Sequence, residues 1–349
     1  MKLIFQITLL LTLVVFSACS KAETAPAEET GSDDLQGPVS RPTSGYGKDG
    51  DYEVAEVDFA SPEYSQKNVT VLYPKGVTSP RPTVFYLHGF GGENITSWLG
   101  ILHFVAKKGY TVVFSPYPTL NSSIDGRYNV MWAGIQAAVK KYPNLIDSTK
   151  VGFVGHSFGG GAAIALSHKA FIEKGWGDNG RFIFTLAPWY AYQITNEQLK
   201  DFPSNTKFIA EVYDDDEIND HRMAIDIFKN INIPASEKDF ILVKKSIVEG
   251  YTYTAEHNLP SSLKAYDAYD YYCLYRLIDA LMDYSFNGSA AGKNVALGNG
   301  STEQITLPSY NGKALTPLEV TDNPIPKYDQ SKYEFRCSGL LNPRSAYCD

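Results

Sequence analysis

From residue 51 onward the chain alternates between two kinds of apolar pattern. Tyr52–Phe59 and Asn68–Tyr73 alternate apolar and polar side chains, the period of half-exposed antiparallel strands. Short runs that are almost wholly apolar follow, at Thr83–Leu87, Thr111–Ser115, Val151–Val154, Phe182–Leu186, Phe208–Val212 and Phe240–Val243. Runs of this kind, bounded by turn residues, predict strands buried on both faces of a parallel sheet. Between them the spacing predicts helices near 94–108, 127–142, 158–174, 219–230 and 262–285. The alternation predicts an α/β fold: a doubly wound, mostly parallel sheet with flanking helices. That domain is expected over 51–286. Residues 287–349 start rich in Gly, Asn and Ser and read as an irregular C-terminal extension packed on it.

The N-terminus is patterned differently. Lys2 precedes an apolar run, Leu3–Phe16, that is short for a membrane span and ends in small residues. Its close, Val15-Phe16-Ser17-Ala18-Cys19, resembles a bacterial lipobox. The resemblance implies that 1–18 is a lipoprotein signal peptide and that Cys19 carries lipid. The protein is then expected to be exported and anchored to a bacterial membrane. Residues 19–50 have almost no large apolar side chains and read as a disordered tether.

Composition changes the picture little. A net charge of −8 with no basic cluster argues against a nucleic-acid partner. Cys337 and Cys348 are 11 residues apart in an export-route chain and are expected to form a disulfide. Cys273, inside a helical stretch, reads as a buried free thiol. No cofactor or metal is called for, and a monomer is expected.

The most informative stretch is Val151-Gly152-Phe153-Val154-Gly155-His156-Ser157-Phe158-Gly159-Gly160-Gly161. A buried strand runs straight into a helix, with glycines two places either side of a serine. Such a turn strains the central residue and lifts its hydroxyl clear, above a helix N-terminus that favours developing negative charge. Ser157 is therefore the candidate nucleophile. Tyr86-Leu87-His88-Gly89-Phe90-Gly91-Gly92 ends an earlier strand, and its His88 reads as a prop for that loop rather than a base. Asp214-Asp215-Asp216-Glu217 follows the strand Phe208–Val212. It could be a solvated turn or part of a calcium site, but no further oxygen ligands can be identified.

From Asn68 to about Phe286 the chain resembles the α/β-hydrolase superfamily, in the branch of dienelactone hydrolases, chlorophyllase-like enzymes and cutinase-like polyester hydrolases. The resemblance rests on Tyr73-Pro74, His88-Gly89-Phe90-Gly91-Gly92, Gly155-His156-Ser157-Phe158-Gly159 and Ala187-Pro188-Trp189. It implies a serine esterase whose oxyanion hole is formed by the N–H groups of Phe158 and Phe90. It also implies Asp216 as the acid, with Asp214 or Asp215 as alternatives. The base is implied to be His257, in the loop after the last buried strand, since His221 comes too early for the Ser, Asp, His chain order. Trp189 is implied to flank the substrate. Cutinase-like enzymes commonly carry Tyr where this chain has Phe90, and the extension has no counterpart.

The expected activity is hydrolysis of a small or polymeric carboxylic ester through an acyl-enzyme on Ser157. Only 17 residues separate Trp189 from Lys207, so no large lid is expected there. A peptidase or a polysaccharide acyl-esterase is the enzymatic alternative. The non-enzyme alternative is a surface binding protein on a hydrolase scaffold. Such proteins usually lack one triad member, and here all three have candidates.

Overall fold

A computed structural model describes residues 35–348. The expected signal peptide, Cys19 and the first part of the expected tether lie outside the described residues. The domain is α/β, built on a nine-stranded, mostly parallel central sheet flanked by helices. β1 (Val54–Ser61) and β2 (Tyr64–Pro74) pair antiparallel at one edge. Six parallel strands form the centre: β3 (Arg81–Leu87), β4 (Thr111–Phe114), β5 (Ile146–His156), β6 (Arg181–Leu186), β7 (Lys207–Tyr213) and β8 (Lys238–Val243). Two short pairs stand outside the sheet, β9 (Ser246–Val248) with β10 (Tyr251–Tyr253) and β11 (Ser309–Tyr310) with β12 (Lys313–Ala314). β13 (Glu319–Thr321) closes the far edge antiparallel to β8, giving the order β1-β2-β4-β3-β5-β6-β7-β8-β13.

Alternate residues along the central strands feed opposite faces, as the pleat requires. Val84 and Tyr86 of β3 join one core while Phe85 and Leu87 join the other. Ile241 and Val243 of β8 part from Phe240 and Leu242 in the same way. Strands with two buried faces must be apolar throughout, which is why their runs are continuous in the sequence. α1 (Leu99–Lys107) packs on the first face. α2 (Ile124–Lys141), α3 (Phe158–His168) and the short α4 (Asn196–Lys200) pack on the second, with α5 (Arg222–Asn230). α6 (Arg276–Asn287) returns to the first face. α7 (Ala290–Ala296) and α8 (Thr302–Ile305) follow it.

Three expectations need correction. The helix expected over 262–285 starts as a single π turn at Asp270–Tyr275 and continues as α6. Upstream, the Asp270 carboxylate accepts the backbone N–H groups of Tyr266 and Asp267, which holds that segment in a turn instead. The stretch 35–50 is docked on the domain instead of forming part of a free tether. Val39 is buried and its N–H donates to Tyr253, Tyr46 donates to Asp283 at 2.6 Å, and the Gly47 N–H donates to Asp279 at 3.0 Å. These hydrogen bonds add to the packing of Val39 in the core and of Leu35 and Tyr46 against it. The extension is also less irregular than expected, since it supplies β13.

The Cys337–Cys348 disulfide is formed, and Cys273 is a buried free thiol. A second clasp holds the extension. Arg344 reaches back to Asp226 of α5 with two hydrogen bonds, at 2.6 and 2.7 Å, and both side chains are 4% exposed. Arg344→Ala would strand the Asp226 carboxylate in the interior and should cost about 3–5 kcal/mol in urea unfolding. A loss below about 1 kcal/mol, the range of exposed pairs, would show that the clasp is dispensable.

Candidate active site

The carboxyl ends of β3, β5, β6 and β7 converge on one place. β3 pairs with β4 on one side and β5 on the other, so the strand order reverses there and the loops leaving β3 and β5 diverge. Such a switch point leaves a crevice above the sheet. A cavity of about 670 Å³ occupies it, with Ser157, His257, Phe90, Phe158 and Trp189 in its wall.

Ser157 follows β5 directly and precedes α3 with φ at 52°, a left-handed conformation unusual for a residue with a side chain. Close packing imposes it. A Cβ on Gly155 would lie 2.1 Å from the Gly159 carbonyl oxygen, and one on Gly159 would lie 2.0 Å from that of Leu87. Phe158 is the first residue of α3, so its N–H has no intrahelical acceptor.

An unbroken run of hydrogen bonds crosses the cavity floor. Asp216 Oδ2 lies 2.8 Å from His257 Nδ1, and His257 Nε2 lies 3.0 Å from Ser157 Oγ. A carboxylate only accepts, so Nδ1 carries the imidazole proton and Nε2 is left to accept from the serine hydroxyl. The other Asp216 oxygen accepts the backbone N–H groups of Ile218 and Asn219, at 2.7 and 3.1 Å. Burial pushes the Asp216 carboxyl up, but His257 and these two amides outweigh it and hold it below the ordinary carboxylate value.

The neighbouring carboxylates go elsewhere. Asp214 accepts from the Tyr328 hydroxyl, and Asp215 is engaged by Lys245 at 2.7 Å and by the Ala255 N–H. The three aspartates therefore face different partners, and no group of metal-ligating side chains gathers among the described residues. Of the sequence candidates, Ser157, Asp216 and His257 are brought together, with Phe90, Phe158 and Trp189 around them. Phe90 is 57% exposed at the rim. Trp189 lies against Phe158 and Tyr190, and Phe335 meets it edge-on at 5.5 Å.

Other histidines brace the site. His88 is buried, stacked on Tyr117 at 4.1 Å, and donates to the Gly89 carbonyl; burial lowers its pKa to about 4. His156 donates from Nε2 to the His257 carbonyl at 2.8 Å; burial and the neighbouring His257 lower its pKa to about 3. His221 donates to the Tyr213 carbonyl, and burial lowers its pKa to about 4. Four contributors carried no signal in the sequence pattern. These are His156 as a prop, Asn219 beside the serine, and Phe335 with Leu341 of the extension, which line the cavity.

No family model matches the chain, and no curated protein matches it.

The direction of the Asp216 shift fixes a pH dependence. Its folded value lies below the unfolded one, so the ionised carboxylate adds stability at neutral pH. That contribution fades once the pH falls below about 4 and through the folded value. The gap in unfolding free energy between the native protein and Asp216→Asn should therefore narrow from pH 7 to pH 3. An equal gap at both pH values would show that the carboxylate's charge is not what stabilises it.

Proposed function

We propose that the chain is a serine carboxylic-ester hydrolase of the α/β-hydrolase type, in the dienelactone hydrolase, chlorophyllase and cutinase-like branch. The observation that carries this reading is the run of hydrogen bonds Asp216–His257–Ser157 on the floor of a cavity, with the serine in a strained turn at a helix N-terminus. In this reading Ser157 Oγ attacks the ester carbonyl while its proton passes to His257 Nε2. Asp216 holds the imidazole in the tautomer that can accept and stabilises the imidazolium that forms. The tetrahedral oxyanion is met by the N–H groups of Phe158 and Phe90, each donor worth roughly 2.7–4 kcal/mol of transition-state stabilisation. His257 then protonates the departing alcohol, and water releases the acyl group from Ser157 by the reverse sequence. The completeness of the arrangement counts against a binding protein on an inactive scaffold.

A polysaccharide acyl-esterase is the second reading, and one feature favours it. A groove of about 520 Å³ meets the main cavity at Ile218, His257 and Asn258 and is lined by polar side chains, among them Thr252, Thr254 and Lys245. A hydroxyl-rich leaving group would fit there, within reach of the histidine that must protonate it.

A fluorophosphonate probe should label Ser157, and Ser157→Ala should lose both labelling and about six orders of magnitude in turnover of an activated ester. Asp216→Asn should cost about four orders, because the amide favours the wrong imidazole tautomer, whereas Asp214→Asn should stay near the native rate. Substantial activity left in the serine variant would sink the reading. Trp189→Ala should weaken hydrolysis of benzoate esters several-fold and leave acetates nearly unchanged, since a methyl acyl group has nothing to stack on. Equal losses on both, with a lower melting temperature, would make Trp189 a packing residue only.

A further inference from the structure

Among the described residues, two side chains hydrogen-bond the Ser157 hydroxyl: His257 Nε2 at 3.0 Å and Asn219 Nδ2 at 3.3 Å. Asn219 is 2% exposed, and its amide orientation is settled by a neighbour. The Ala187 carbonyl, which only accepts, lies 2.9 Å from the same nitrogen. That end of the amide must therefore be NH₂, with one hydrogen for Ala187 and the other for Ser157. A hydroxyl that receives an N–H on one side cannot point its own proton that way. Of these two neighbours, only His257 Nε2 can accept the Ser157 proton.

Stability alone explains Asn219 poorly. Its Oδ1 is buried without a partner, which makes the side chain a costly one to keep if packing were its only purpose. Its backbone is nevertheless held firmly. The Asn219 N–H donates to Asp216, and residues 334–337 of the extension run alongside 217–220. There Glu334 and Phe335 donate to the Glu217 and Ile218 carbonyls, both at 2.8 Å, and Cys337 donates to the Asp220 side chain at 3.0 Å. One short segment thus orients the acid and, through Asn219, the nucleophile.

We propose that Asn219 is a fourth catalytic residue, a donor to Ser157 Oγ that aims the hydroxyl at His257 and stabilises negative charge on that oxygen. The inference rests on Ser157 being the nucleophile. During acylation Oγ loses its proton to His257 as it bonds to the carbonyl carbon. During deacylation the Oγ–acyl bond breaks, the electron pair returns to Oγ, and His257 gives a proton back to it. In both steps the Asn219 N–H meets a partial negative charge that the resting hydroxyl lacks, which is the condition for lowering a barrier.

The test compares the rate of fluorophosphonate labelling in the native protein, Asn219→Ala and Asn219→Asp, with circular dichroism to establish folding. The alanine variant should label to the same extent but about 100-fold more slowly, the low end for loss of one preorganised donor. The pH at half-maximal rate should not move, because Asp216 and His257 keep their contacts. Asn219→Asp has the same shape but can only accept when ionised, and should be slower still. A rate within twofold of native in either folded variant would overturn the proposal. So would an aspartate variant faster than the alanine one, or an alanine variant whose pH profile shifts, since either would assign Asn219 a role through shape or through Asp216. An unlabelled native protein would instead overturn the reading of Ser157, and this inference with it.

Discussion

The turn at Ser157 leaves no room for anything but backbone. α3 is pressed into the strand ends so closely that a Cβ on Gly159 would meet Leu87 of β3, one on Gly160 would meet Pro188, and one on Gly161 would meet the Tyr190 carbonyl. Holding Ser157 in the left-handed region costs of order 1–3 kcal/mol, tolerated only where the surroundings over-determine the backbone. Here they do: the Ser157 N–H donates to the Leu186 carbonyl, and its own carbonyl accepts from the Trp189 N–H. The same close approach sets the start of α3, the loop after β3 and the loop after β6 around one point. Site geometry and sheet packing are thus one constraint.

Around that point the protein keeps three supporting histidines neutral. Burial lowers the pKa of His88, His156 and His221, and each spends a ring nitrogen on a backbone carbonyl. They work as hydrogen-bonding struts and, being neutral, add no positive charge of their own beside His257. Asp216, by contrast, is kept ionised by the donors around it, so the charge in the buried network is concentrated on one carboxylate.

The extension carries more of the architecture than its composition suggests. It adds β13 to the sheet edge, lies beside residues 217–220, and puts Phe335 and Leu341 into the cavity wall. The Cys337–Cys348 bond and the Arg344–Asp226 pair fasten a segment that has few buried apolar side chains of its own.

The pattern of the chain was enough to place the six central strands and the helices behind them, because burial on two faces writes itself as uninterrupted apolar runs. The turn at Ser157 was equally legible, since glycines at 155 and 159 are a local steric demand. The family resemblance implied Asp216 and His257, with Asp214 or Asp215 as alternatives to the former, but the residue pattern itself carries no direction for adjacent carboxylates. Adjacent carboxylates on one turn point in different directions, and only the fold decides which one meets His257 and which meet Tyr328 and Lys245. The docking of 35–50, the pairing of β13 and the approach of Asn219 to Ser157 were hidden for a related reason. Each depends on backbone groups or single polar side chains from distant parts of the sequence, and such contacts have no periodicity; they exist only once the tertiary structure has brought the partners together.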